Sequence, residues 1–171
     1  LEKAQPNAAH RTIAELERYF EMTVVTQNVD NLHERAGSTN VIHLHGELTK
    51  VRPEDQEERG VREIGYRDVN LGDCDSRGVQ LRPHIVWFGE AVPMMYPAAV
   101  AVGEADILLI IGTSLNVYPA AGLFRYARPG TPIFLIDPKP IRIDYNNFRQ
   151  IQKTATEGMA ELKEILIREY I

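Results

Sequence analysis

The sequence predicts an α/β fold in which helices cover both faces of a parallel sheet. Three observations carry this. The runs Met22–Thr26, Ile107–Ile111 and Ile133–Ile136 are short, aliphatic or β-branched, as befits strands buried on both faces. Segments with helical periodicity lie around them. Strand and helix alternate along the last third of the chain, which implies parallel pairing through crossover helices.

Taken in order, Pro6 and Asn7 precede Ile13, Leu16 and Phe20, whose spacing predicts a helix from about His10 to Phe20. Met22–Thr26 follows as a buried strand. Asn31 to Ala36 is short and helix-like, and Gly37 stops it. Val41–Leu44 reads as a strand ending at His45 and Gly46. From Lys50 to Gln80 the chain is rich in Glu, Arg, Asp and Gly, with few large apolar residues. Such a stretch supplies little core and is expected to form a surface excursion or small subdomain. Ile85–Phe88 resumes the apolar pattern. Ala98–Glu104 is helical, Ile107–Ile111 a strand, and Pro119 opens a helix over Ala120–Ala127. Ile133–Ile136 is the next strand. Met159–Tyr170 closes the chain as an amphipathic helix with Leu162, Ile165 and Leu166 on one face. No internal repeat and no low-complexity segment interrupts this order.

Composition narrows the class. The 171 residues suit one domain with its own core, and 44% hydrophobic with 25% charged residues is ordinary for a globular protein. The net charge of −5 argues against nucleic acid as a partner and accommodates a basic, lysine-bearing one. One cysteine, Cys74, excludes both an intramolecular disulfide and a four-thiolate metal site. No run approaches the roughly 18 apolar residues that span a membrane. Leu1–His10 lacks the apolar core of a secretion signal, so a cytoplasmic location is expected.

In an open parallel sheet, ligands bind beyond the carboxyl ends of the strands. Three polar clusters fall there: Gln27-Asn28-Val29-Asp30, then Gly112-Thr113-Ser114, then Asp137. Each has a local reading and a functional one. Gly112-Thr113-Ser114 is either a tight turn capping the next element or a close backbone approach to phosphate or ribose. Asp137, before Pro138, either starts a turn or accepts from ribose hydroxyls. Asn28 and Asp30 are either caps for the short helix after them or a partner for a carboxamide or ribose.

His33, His43 and His45 lie close together, and strand alternation puts His43 and His45 on one face. Two histidines so spaced can ligate a metal, but no third ligand is evident. A histidine at a strand end is either a hydrogen-bonded structural residue or a general base, since imidazole titrates near neutral pH. Leu81-Arg-Pro-His-Ile-Val-Trp-Phe-Gly-Glu90 is either a core strand and turn or an exposed edge that receives an extended peptide.

Five segments together resemble the sirtuin family, the NAD-dependent protein-lysine deacylases, in their bacterial branch. They are Pro6–His10, Thr26–Gly37, His43–Gly46, Leu81–Glu90 and Gly112–Ala121, in matching order and approximate spacing. The resemblance implies a Rossmann-like NAD-binding catalytic domain over 1–48 and 81–171, with 49–80 a degenerate zinc-module-like insertion. It implies release of nicotinamide from NAD and transfer of the acyl group to ADP-ribose. Asn28 and Asp30 then match the residues that bind the nicotinamide end and its ribose, with Gln27 beside them. His45 matches the general base. Gly112, Thr113 and Ser114 match adenosine-side and phosphate contacts. Asp137 sits where the family often has an asparagine near the adenosine ribose. Phe88, Gly89 and Glu90 match the segment that pairs with the substrate backbone, and Val86 and Phe88 flank the acyl channel. The implied partner is an acyl-lysine peptide or protein, with no nucleic acid and no membrane, and a monomer is expected.

Two departures qualify the resemblance. Family members begin with a strand and a glycine-rich phosphate loop, and neither occurs before Leu1. These 171 residues alone are therefore expected to bind NAD poorly, and the acyl preference, set upstream, is not readable. The family's two Cys-x-x-Cys pairs fall here at Pro53 and Gln56, and at Cys74 and Arg77. One thiolate of four survives, so no zinc is expected. Arg77 and nearby acids are candidates for surface pairs instead, each worth at most about 1 kcal/mol. Two other classes stay open: mono-ADP-ribosyltransfer on the same site, and a degenerate nucleotide-binding or interaction module.

Overall fold

The computed structural model describes residues 1–55, 59–113, 115, 118–141 and 145–171. It realises the expected α/β class. The elements are α1 (Ala8–Leu16), β1 (Val24–Thr26), α2 (Leu32–Ala36), β2 (Val41–His43), β3 (Gly46–Pro53), β4 (Arg62–Glu63) and β5 (Leu81–Ile85). Then come α3 (Met95–Glu104), β6 (Leu108–Ile111), a 3₁₀ helix (Ala120–Tyr126), β7 (Ile133–Ile136), β8 (Phe148–Ile151) and α4 (Ala155–Tyr170).

Parallel strands form two hydrogen-bonded groups, β1–β2 and β6–β7–β8, and β3 pairs antiparallel with β4 and β5. Among the described residues no backbone ladder joins β1 to β6, unlike the single sheet that the sequence predicts. Side chains make the connection instead, by strand alternation. Leu109 and Ile111 of β6, Phe134 and Ile136 of β7 and Val24 of β1 share one cluster with α1 and α4. Leu108 and Val25 face the other way, with Ala98 and Val102 of α3 and Ala120 and Leu123 of the 3₁₀ helix. Both faces are thus covered. Phe134, Ile136, Met159 and Leu162 are essentially sealed from solvent. Truncating such a side chain to alanine costs about 2–5 kcal/mol.

Several boundaries move for identifiable reasons. α1 starts earlier than expected because Asn7 and His10 form a capping box. The His10 amide donates to Asn7 Oδ1 at 3.1 Å, and the Asn7 amide donates to His10 Nδ1 at 3.3 Å. Its helical span stops at Leu16, although Phe20 still packs on the same core. α4 starts four residues before the sequence reading, at a Thr154 cap. The expected helix over 120–127 is 3₁₀. β3 crosses residue 48, where the sequence reading divides domain from insertion, and ties the start of the excursion to β5.

Candidate active site

At the end of β1 the Asn28 amide donates to Thr26 Oγ1 at 3.1 Å, turning the chain out of the strand. Asp30 Oδ1 accepts the Leu32 amide at 3.0 Å and opens α2, which Gly37 closes in the left-handed conformation at φ 108°. Asp30 thus makes a side-chain turn just ahead of the helix, whose N-cap position is Asn31 and carries no side-chain cap bond, so the capping reading of Asp30 is not realised as such. Asn28 is exposed, and its carboxamide makes no hydrogen bond among the described residues.

The half-buried His45 ring sits 3.1 Å, through Nδ1, from the carbonyl of Gln27. A carbonyl only accepts, so Nδ1 carries a proton, and when the ring is neutral Nε2 is the nitrogen that can accept one. The ring is thereby oriented at the residue that precedes Asn28. Val86 donates its amide to the His45 carbonyl at 3.0 Å, which ties the 81–90 segment to the same point. Gln27, Asn28, His45 and Val86 are thus brought together.

His43 does something else. β2 ends at this residue, so strand alternation does not extend to His45. His43 is buried, with Nε2 2.6 Å from Glu34 Oε1 and Nδ1 3.4 Å from the Asn28 carbonyl. Sequence spacing showed no third metal ligand, whereas the fold gathers Glu34, His43 and Glu47. These groups already satisfy one another: Glu34 holds His43, and Glu47 pairs with Lys50 at 2.5 Å. They form a buttress under the Asn28 backbone.

The His10 and His33 rings meet at a tilt of 56°, with 4.7 Å between centroids. Burial lowers both below the ordinary imidazole value, and Asp30 pulls each partway back. A depressed folded value means that the unfolded chain takes up protons first. Their contribution to stability is present above about pH 6.5 and is lost as pH falls from there through the folded values. The urea midpoint should fall between about pH 7.5 and pH 5.5, and fall less in His33→Gln. An equal drop in both proteins would remove His33 from the account.

The second parallel group presents Gly112, Thr113 and Asp137 at its carboxyl edge. The Gly112 amide donates to the Ile136 carbonyl at 2.9 Å, and at φ 65° a side chain there would meet only open space. Thr113 Oγ1 accepts the Leu115 amide at 3.2 Å. Asp137 is buried, and its Oδ1 accepts the Lys139 amide at 2.8 Å. Both side chains therefore cap their own turns. Ser114 lies outside the described residues. Gln150, which sequence reasoning missed together with β8, anchors this edge. It accepts the Ile141 amide and donates to the carbonyls of Asp137 and Lys139.

β5 ends at Ile85, and an exposed turn follows. Phe88 is fully exposed and Gly89 takes φ 91°. The Glu90 carboxylate is engaged by Arg82 and by the Trp87 amide, which together hold it below the usual carboxylate range. Its side chain thus serves the turn itself.

The Sir2 family model matches residues 1–119. This chain belongs to the Sir2 family. It is 52% identical to an NAD-dependent protein deacylase of Bacteroides thetaiotaomicron, over 96% of this chain and 73% of that protein. It is similar in structure to a Sir2 homologue solved as an NAD complex, with TM-score 0.84, 39% identity and coverage of 97% of this chain and 66% of that one. It is also similar to Sir2Tm bound to a propionylated peptide, at TM-score 0.79 and 30% identity, covering 96% and 72%. The chain thus spans about two thirds to three quarters of these relatives.

The described site fits the NAD that Sir2 proteins use. An unengaged carboxamide at Asn28, a base at His45 Nε2 and bare backbone at Gly112 match an amide, a ribose and a phosphate-bearing chain in chemistry. Zinc does not fit the excursion. Cys74 is exposed and bridges to Gln80, and Gln56 lies outside the described residues. Arg77 grips Asp55 through two bonds of 3.0 Å and Asp75 at 2.8 Å, so that position carries a cation of its own. Elemental analysis of the purified protein should return far less than one equivalent of zinc. A full equivalent would require a ligand set other than the one aligned with Cys74.

Proposed function

We propose that this chain acts as an NAD-dependent protein-lysine deacylase, releasing nicotinamide and passing the acyl group of a lysine to ADP-ribose. One observation carries the reading: His45 is fixed as an Nε2 base beside Asn28 and is bonded through its carbonyl to Val86 of the exposed 81–90 segment. Bound NAD would supply an electrophilic ribose carbon and a leaving nicotinamide. Asn28 orients the amide end, Asp30 faces the ribose, and Gly112, Thr113, Ser114 and Asp137 serve the adenosine side. His45 Nε2 takes the proton from a ribose hydroxyl. Val86 and Phe88 flank the acyl-lysine, and the backbone of Gly89 and Glu90 pairs with its peptide.

The net charge of −5 favours a basic, lysine-bearing partner over nucleic acid. A monomer in a reducing cytoplasm belongs to the same proposal, and the free, exposed Cys74 is compatible with the reducing compartment. The test is nicotinamide release by the protein as its gene encodes it. Release that depends on an acyl-lysine peptide, and ceases with the unacylated peptide, is expected. Release that ignores the peptide would move the reading to ADP-ribosyltransfer or simple NAD cleavage.

A further inference from the structure

The turn after β5 is built around a clamp that the motif alone does not reveal. Arg82 Nη1 donates to Glu90 Oε1 at 2.7 Å, and Nη2 donates to Glu90 Oε2 at 3.2 Å and to the Ile85 carbonyl at 3.3 Å. Glu90 Oε2 in turn accepts the Trp87 amide at 2.9 Å, and the Glu90 amide donates to the Trp87 carbonyl at 3.0 Å. One guanidinium fork therefore fixes both ends of the segment, its entry at Ile85 and its closure at Trp87 and Glu90. Gly89, left-handed at φ 91°, completes the turn. What the turn displays is apolar: Trp87 is 56% and Phe88 101% exposed. Two aromatic rings held in water on a braced turn are a surface made ready for a partner.

We propose that Arg82 is a positioning residue that holds the Trp87–Glu90 turn in the conformation that receives the acyl-lysine segment. The inference rests on the deacylase reading above. A turn ordered beforehand spares the binding step the ordering of its backbone, and freeing even one residue's worth of that order weakens binding by about tenfold. Lysine in place of Arg82 keeps the charge but not the fork, so it holds only one of the two carboxylate contacts.

The chain has one tryptophan, Trp87, which lies inside the clamp, so its fluorescence reads the turn without any turnover. The test compares native protein with Arg82→Ala, Arg82→Lys and Glu90→Gln, using an acetyl-lysine peptide and NAD. In Arg82→Ala, acrylamide quenching of Trp87 should rise and the KM for peptide should increase about tenfold. The KM for NAD should stay within about twofold and kcat within about threefold, while Arg82→Lys falls between. Unchanged quenching and unchanged peptide KM in Arg82→Ala would overturn the proposal. So would a parallel loss of peptide affinity, NAD affinity and melting temperature, which marks general structural damage. If native protein turns over no peptide, the deacylase reading falls and takes this proposal's ligand with it. Native turnover with unaltered variant KM sinks the proposal alone.

Discussion

Replacing His45 with alanine should reduce deacylation of an acyl-lysine peptide by about 100- to 10,000-fold, the range a positioned general base supplies. Nicotinamide exchange into NAD should survive in part. The two steps make different demands on the protein. Breaking the nicotinamide bond needs the reacting groups held in place, a role our proposal gives to Asn28 and its neighbours. Activating a ribose hydroxyl afterwards needs a proton acceptor, and Nε2 of His45, which makes no hydrogen bond among the described residues, is proposed for it while Nδ1 is held at the Gln27 carbonyl. Asn28→Ala should show the opposite pattern, with exchange impaired along with deacylation. Near-normal deacylation in His45→Ala would make His45 a strand-end residue that only braces Gln27.

Gly46→Ala should be the most damaging single methyl in the fold. Gly46 is buried at φ 76°, and an added Cβ would lie 2.0 Å from the His84 carbonyl oxygen, 2.9 Å from its carbon and 3.2 Å from Ile85 Cα. All three atoms are backbone, so no side chain can swing aside. Left-handed strain alone costs of order 1–3 kcal/mol, and overpacking adds a similar amount. We expect a loss of at least about 3 kcal/mol, which lowers Tm by roughly 6–12 °C in a chain of this size. Activity should fall as well, because β3 and β5 meet here, directly after His45. Gly72→Ala is the control: its φ is 95° and nothing lies within 4 Å of the added carbon, so only backbone strain applies. Equal effects at the two positions would show that the close approach at Gly46 relaxes freely.

What the sequence discloses depends on where each partner sits along the chain. β7 is legible at its true bounds because all four residues from Ile133 to Ile136 are buried. β8 is not, since Phe148-Arg-Gln-Ile151 buries only Ile151 fully and reads as loop. Lys50 and Arg52 disguise β3, although Thr49 and Val51 alternate inward. The start of α4 is hidden by Gly158, a poor helix former that is there because its Cα packs onto Ile136. At the candidate site, Asn28, Asp30 and His45 stand out in the sequence because their motifs are contiguous. Glu34, Arg82 and Gln150 are not, because each acts on a residue 8 to 13 positions away that only the fold brings near. The grouping of the parallel strands as β1–β2 and β6–β7–β8 among the described residues is hidden for a related reason. Periodicity identifies strands buried on both faces but not which edges exchange hydrogen bonds.

The central claim is acyl transfer to ADP-ribose at a site organised by His45. It is tested most directly by following the acyl group itself. A peptide carrying a carbon-13-labelled acetyl-lysine is incubated with NAD and the protein as its gene encodes it, and every product is weighed by mass spectrometry. The expected result is the label on ADP-ribose, one nicotinamide released for each lysine freed, and at least about 100-fold slower labelling of ADP-ribose in His45→Ala. A label that stays on the peptide while ADP-ribose appears on protein would contradict the claim.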